Sequence, residues 1–386
     1  MSPTGATEPA KKSALSDEKA PSRPSEAPLA EVALSAEGAA GQVPEGHTPP
    51  EFPPISSATL TTHQAPLEVG DDEEEGIEDG ITSDTESAYS TSVSSSVMAH
   101  VFENGRRYHR YREGKYNFPN DEREQEREDM KHACVLNLCE GNLLYAPVGE
   151  YPQNIIDLGT GTGIWAIEMA ERFPSAIVTG VDLSPIQPSW VPPNVKFTVD
   201  DIEDRFVYPI NHFDMIHIRN VIHHLRDVPQ LLRQCYRHIK PGGWMEIQEH
   251  EINLYCDDGT MPPDYAVHVL FAYVREAMAK FGMDATMILK VDELLREAGF
   301  INISRRVMKI PEGPWARGQS QKLTGLFWRT ILLEGVEGIA LKPLEKGLHW
   351  SREEIEVFLV DVRKQLMDPS IHTYWPFHVV TAQKAP

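Results

Sequence analysis

The sequence predicts a doubly wound α/β domain on a mostly parallel, seven-stranded sheet, preceded by a disordered N-terminal tail. Three observations carry this expectation. Short apolar runs alternate with amphipathic stretches from residue 154 onward, which is how a parallel sheet with helical crossovers reads in sequence. A glycine-rich turn, DLGTGTG (157–163), joins the first of those runs to the first of those helices. The composition also changes abruptly near residue 99.

Residues 1–98 are rich in Ala, Pro, Ser and Glu, and contain the acid run DDEEEGIED (71–79) and a serine stretch ending at Ser96. Such a segment buries too little apolar surface to offset an ordering cost of roughly 1–2 kcal/mol per residue. Much of the formal net charge of −22 falls in it, which leaves the remainder only mildly acidic. No broad basic face for phosphate neutralisation is expected, so nucleic acid is a poor substrate candidate. The N-terminus has no apolar core of a signal peptide, and no run of about 20 apolar residues suggests a membrane span. Four cysteines without a CxxC pair or a His/Cys cluster argue against a disulfide framework or a structural metal. An intracellular protein, in cytoplasm or nucleus, is expected.

Ordered structure is expected to begin with ENGRRYHRYREGKY (103–116), where tyrosines and basic side chains interleave. Asn120 or Asp121 should cap a helix running on through Leu144, with Met130, Cys134 and Leu138 on its buried face. Residues 99–150 are thus expected to form a helical cap on a domain spanning 151–386. The predicted strands are 154–158, 176–182, 195–199, 213–218, 243–249, 300–310 and 377–382, and the predicted helices 164–173, 228–238 and 291–297. Pro185, Pro188 and Pro192 discourage a long helix after the second strand. Two helices, 321–336 and 351–366, should form a lid or substrate-facing insertion at about 314–368.

Asp157 should end a strand, and Gly159, Gly161 and Gly163 should turn the chain into a helix whose positive end faces a ligand. Because Gly161, Gly163 and Ala166 also satisfy a dinucleotide-binding pattern, the loop alone fits either NAD or S-adenosylmethionine. Asp182, closing the second strand nineteen residues after Gly163, is placed to accept hydrogen bonds from ribose hydroxyls. Asp201 and Ile202, after the third strand, could bracket an adenine. Leu183 and Arg219, at the ends of the second and fourth strands, complete the cofactor candidates.

The series DLGTGTG, VDLSPIQP, VDDIE, FDMIHIRNVIHHLRD and LRQCYRHIKPGGWMEIQE resembles, in order and spacing, the class I S-adenosylmethionine-dependent methyltransferases, a Rossmann-like family. The resemblance covers roughly 151–310. It implies that Asp157 and the loop glycines hold the methionine portion of the cofactor, Asp182 the ribose and Asp201 the adenine. The flanking ENGRRYHRYREGKYNFPNDEREQERED, LLYAP (143–147) and GTGIWAIEMA narrow the likeness to LaeA-type fungal methyltransferases. That group implies either an enzyme methylating a small molecule of secondary metabolism or a nuclear regulator acting with velvet-type partners. Thr160 stands where the LaeA-type loop carries cysteine, and IRNVIHHLRD (218–227) looks more like small-molecule methyltransferases than the regulator.

A sulfonium-borne methyl is already activated, so the protein must chiefly align an acceptor and exclude water. For a hydroxyl acceptor a base helps, and His223 or His224 is the catalytic candidate, with packing as the alternative role. No NPPY-like or DPPY-like tetrapeptide and no Pro-Cys nucleophile occurs, and Glu249 and Glu251 sit in the wrong place for the paired glutamates of arginine methyltransferases. Trp315, Phe327 and Trp328 of the insertion could line an apolar substrate pocket or pack in its core.

Overall fold

A computed structural model describes residues 65–70, 100–103, 105–112, 115 and 118–386. The expected tail therefore lies outside the described residues, except for 65–70. That segment lies along the loop 315–317: Val69 bridges Ala316 antiparallel, and the Gly70 N–H donates to the Trp315 carbonyl at 2.7 Å.

The region expected to be a helical cap begins instead as a hairpin. β1 (His100–Glu103) pairs antiparallel with β2 (Arg106–His109). The Arg106 guanidinium reaches Asp121 at 2.6 and 2.9 Å, tying the hairpin to the helix that follows. In α1 (Glu122–Leu138), Asp121 is the N-cap and accepts from the Glu124 N–H. The helix stops six residues earlier than the sequence suggests, because Glu140 and Gly141 turn to positive φ and the Gly141 N–H closes back on the Leu136 carbonyl at 2.8 Å. Its buried stripe holds Cys134 and Leu138 as expected, but continues upward through charged residues, Glu124, Arg127 and Lys131, with Met130 only half-buried.

The central sheet follows: β3 (Asn154–Leu158), α2 (Ile164–Arg172), β4 (Ile177–Asp182), β5 (Val195–Val199), β6 (Phe213–Arg219), α3 (Val228–His238) and β7 (Ile239–His250). Then come β8 (Tyr255–Cys256), α4 (Ala266–Lys280), α5 (Met287–Ala298), β9 (Ile301–Pro311), α6 (Gln319–Leu348), α7 (Arg352–Leu366) and β10 (Thr373–Gln383). The order across the sheet is β5-β4-β3-β6-β7-β10-β9, with the first five strands parallel and β10 antiparallel to both neighbours. The two-residue β8 adds to β10 and makes an eighth strand beyond the seven expected.

Side-chain alternation on β3 explains the layering. Ile156 and Leu158 face Leu231, Leu232 and Cys235 of α3 and Ile288, Val291 and Leu295 of α5, while Ile155 faces Trp165, Ala166 and Met169 of α2. Asp157 lies on the α2 side. The chain leaves β3 toward β4 and β5, then returns to β6 on the other flank of β3. The gap so created at the carboxyl ends of β3 and β6 is a topological switch point, where a doubly wound sheet receives a ligand.

A third core joins α1, α4, α6, α7, β9 and β10. The expected insertion is larger than its two helices suggested: α6 runs to Leu348 through Pro343, which is buried. Proline costs an internal helical hydrogen bond, and here the packing of a buried helix tolerates it. Helix α4 was not expected at all, because its apolar residues lie on most sides and leave no amphipathic period to read. No helix among the described residues is long and apolar enough to cross a membrane.

Candidate functional site

The switch point opens into a cleft of about 960 Å³ bounded by the β3–α2 loop, the ends of β4 and β6, the segment after β5, and the start of α1. Gly159, Gly161, Asp182, Leu183, Asp201, Ile202, Arg219 and His224, all singled out in sequence, line it. Gly163 lines no part of it. It sits at φ +85°, and a Cβ there would stand 2.4 Å from the Phe197 ring, so this glycine serves the turn and its packing.

Asp182 is held by two backbone amides. The Gly161 N–H donates to Oδ2 at 2.8 Å and the Ser184 N–H to Oδ1 at 2.9 Å. Burial pushes its carboxyl up to about 6, with nearby Asp157 adding to the effect and the amides opposing it. Asp201 is buried and forms an ion pair with Lys115 at 3.0 Å, and the same ammonium reaches Glu203 at 3.0 Å. Lys115, from the aromatic-basic stretch, lines the cleft together with Pro119 and Asn120.

Asp157, also singled out in sequence, does not line this cleft. The Thr160 hydroxyl donates to its Oδ2 at 2.7 Å, and His217 Nδ1 lies 2.7 Å from its Oδ1. Here a smaller, polar cavity of about 410 Å³ branches off, lined by Asp157, Gly159, Gly161, His217 and Arg219. Arg219 donates to His132 Nδ1 at 2.8 Å, so the other ring nitrogen of His132 is the one that donates to Glu168 at 3.1 Å. Burial, reinforced by Arg219, drops His132 to about 3 and keeps it neutral.

A second cavity of about 680 Å³ adjoins the cleft on the side of the helical layer. Its walls are largely apolar, with Phe118, Ile252, Phe271, Met278, Trp328 and Trp375, and its polar corner carries Arg127, Lys131, His224 and His250. Among the insertion aromatics, Trp328 lines this pocket; Phe327 and Trp315 do not. Glu128 and Asn220 line all three cavities. Burial alone would raise Glu128, but Lys131 and Arg127 outweigh it and hold the carboxylate at about 2. Lys131 donates to it at 2.9 Å, and Arg127 bonds it as well. Asn220 adopts φ +56° just past β6, and its Oδ1 is buried without a partner.

The two histidines weighed as catalytic differ in placement. His223 is fully buried, and its Nε2 donates to the His250 carbonyl at 2.9 Å. His224 borders both the cleft and the apolar pocket, edge-on to Phe118. Burial lowers it to about 3, so it meets the cavity as a neutral ring.

Sequence reading missed Glu128, Lys131, Asn220 and the partnership of His217. The α1 residues carried a signal: Glu124, Arg127, Glu128 and Lys131 recur at helical spacing and lead into Cys134 and Leu138. For Asn220 the signal was weaker, an Asn directly after a strand end.

A doubly wound sheet with a strand-end acid, a glycine turn and a ribose-type carboxylate around a switch-point cleft defines a nucleoside-cofactor protein. Residues 127–304 match the family model described as a methyltransferase domain. The chain is 41% identical over 302 residues to methyltransferase pytC of Aspergillus terreus, covering 78% of this chain and 93% of that protein. It is 35% identical to the secondary metabolism regulator LAE1 of Cochliobolus heterostrophus, covering 74% of this chain and 95% of that protein. It is 33% identical to the protein-methionine methyltransferase laeA of Emericella nidulans, covering 73% and 76%. The chain belongs to the S-adenosylmethionine-dependent methyltransferases of the LaeA-like family, and S-adenosylmethionine is its cofactor.

Proposed function

We propose that this methyltransferase acts on a small, largely apolar molecule of secondary metabolism, seated in the pocket between α1, α4 and α6. The observation that carries the reading is the pocket itself: it is lined by Trp328, Phe271 and Trp375, and it opens on the cofactor cleft at Glu128, Asn220 and His224. A wall of this kind suits a compact hydrophobic acceptor with a few placed polar groups.

The residues fit the cofactor. Gly161 has open space where a side chain would stand, Asp182 offers a carboxylate at the ribose position, and Arg219 offers a guanidinium to the methionine carboxylate. Asp157 supports this end through its partners, Leu183 and Ile202 supply apolar contact, and Asp201 meets the adenine amino group beside Lys115. S-adenosylmethionine supplies a methyl group on a sulfonium, already activated for attack. The ionised Glu128 places a negative charge where the three cavities meet and favours a cation there. Asn220 Oδ1, buried without a partner, is placed to accept a hydrogen bond from an acceptor hydroxyl and so orient it, and the neutral His224 ring borders both cavities as the candidate base. His223, bonded to a carbonyl, supports the His224 turn.

A regulatory reading is supported by the relative named as a secondary metabolism regulator, and a nuclear setting with velvet-type partners would belong to that proposal. In it, residues 1–98 would be the interaction tail, 99–150 the cap, and the insertion at 314–368 the selective element. Metabolite extracts of the native host carrying Asp182→Ala or His224→Ala distinguish the two. The enzyme reading expects a single compound lacking one methyl to accumulate. Loss of many unrelated products at once would overturn it in favour of the regulator.

A further inference from the structure

His217 lies in the middle of β6, is fully buried, and stacks on the Trp165 indole with ring centroids 3.7 Å apart and planes 6° from parallel. A packed histidine normally has both nitrogens satisfied. Here only one is: Nδ1 meets Asp157 Oδ1 at 2.7 Å, while Nε2 is buried with no hydrogen-bond partner. The ring also lines the small polar cavity shared with Arg219 and the β3–α2 loop.

The tautomer follows from the partner. A carboxylate accepts and cannot donate, so Nδ1 carries a proton, and in the Nδ1–H tautomer Nε2 presents a lone pair. That lone pair needs a donor, and none of the described side chains supplies one. The cavity is also lined by the Arg219 guanidinium, a group suited to a ligand carboxylate. A ligand with an ammonium and a carboxylate on one carbon satisfies both.

We propose that His217 binds the α-ammonium group of the cofactor's methionine portion through Nε2, with Asp157 and Thr160 acting behind it to fix the ring's orientation and tautomer. The acid of the glycine-loop motif is thereby a positioning residue, one ring removed from the ligand. Trp165 holds the imidazole plane, and Asp157, bonded at both oxygens, sets which nitrogen bears the proton.

Calorimetric titration of the full chain with three ligands tests this: S-adenosylmethionine, its decarboxylated form, which keeps the ammonium, and 5′-methylthioadenosine, which lacks the amino-acid portion. His217→Asn keeps an amide N–H near the Nδ1 position for Asp157 but removes Nε2. His217→Phe keeps the stack on Trp165 and removes both nitrogens. Both variants should lose on the order of tenfold to a hundredfold in affinity for the two ammonium-bearing ligands, the range for a hydrogen bond to a charged group. Binding of 5′-methylthioadenosine should stay within about twofold, as expected when the lost contact lies outside the nucleoside. Equal weakening of all three ligands in both variants would show that the ring only supports the fold. A loss confined to S-adenosylmethionine would show that it meets the carboxylate instead. Unchanged affinity in His217→Asn would mean that orienting Asp157 is the whole role, and wild-type protein that binds none of the ligands would overturn the assignment together with the cofactor site. Each of these four results refutes the proposal.

Discussion

Cofactor affinity should fall as the pH drops through 6, and Asp182 is the reason. Its carboxyl, ordinarily at 3.8, is raised to about 6 in the free protein, first by burial and then by Asp157, against the pull of the Ser184 and Gly161 amides. In the proposed site ribose hydroxyls would donate to the ionised form, so the protonated form would have to lose its proton before the ligand binds at full strength. With a free-protein pKa of about 6, affinity is reduced about twofold at pH 6 and about elevenfold at pH 5, or roughly 1.4 kcal/mol. The stability effect has the opposite sense. A raised carboxyl means that the fold carries a cost above pH 6, which fades as pH falls toward 3.8. At neutral pH this amounts to at most about 3 kcal/mol, and less because the carboxylate is only half-buried at the cleft. Asp182→Asn should therefore lose cofactor binding while unfolding a few degrees higher at pH 8. Isothermal titration with S-adenosylmethionine between pH 5 and 8, paired with thermal melts, reads both. A dissociation constant constant within twofold over that range, or an Asn variant that still binds and shows the same pH slope, would refute the reasoning.

Gly163→Ala forces a side chain into positive φ and against the Phe197 ring at 2.4 Å. A loss of about 2–4 kcal/mol in denaturant unfolding is expected from strain and overpacking together, and an unchanged midpoint would contradict the packing role. Glu128→Gln removes the carboxylate held at about 2 where the cavities meet. It should weaken S-adenosylmethionine, a sulfonium cation, several-fold more than S-adenosylhomocysteine, its neutral thioether, as a local charge effect would. Equal losses for the two ligands would place the methyl elsewhere.

Most of the fold was legible from local pattern. The strands at 154–158 and 195–199 and the helix at 228–238 fall where period and turn residues place them: a central strand such as 154–158 is buried on both faces and reads as an apolar run, the edge strand 195–199 alternates with exposed Lys196 and Thr198, and the crossover helix is amphipathic. Helix α4 escaped for the complementary reason: a helix buried on most sides loses the contrast that marks its period. The hairpin at 100–109 escaped because it is short and held by Asp121 and Asn120 across the turn into α1, contacts that no local window contains.

The cofactor residues divide along the same line. The DLGTGTG turn and Asp182 follow from a strand-turn-helix unit whose backbone geometry is encoded within a few residues, so residue order alone marked the place of the proposed cofactor site on the sheet. Tertiary structure decided what surrounds that ligand. Packing of β6 against β3 brings His217 to Asp157 across 60 residues of chain, and packing of α1 over the switch point carries Glu128 and Lys131 to Asn220 and His224. It also separated His223, which turns to a backbone carbonyl, from His224, which faces the cleft. Burial then set their charge states: it neutralised His132 and His224, while Lys131 and Arg127 kept Glu128 ionised. Desolvation and ion pairing depend on neighbours distant in sequence, and residue order does not specify those until the chain has folded.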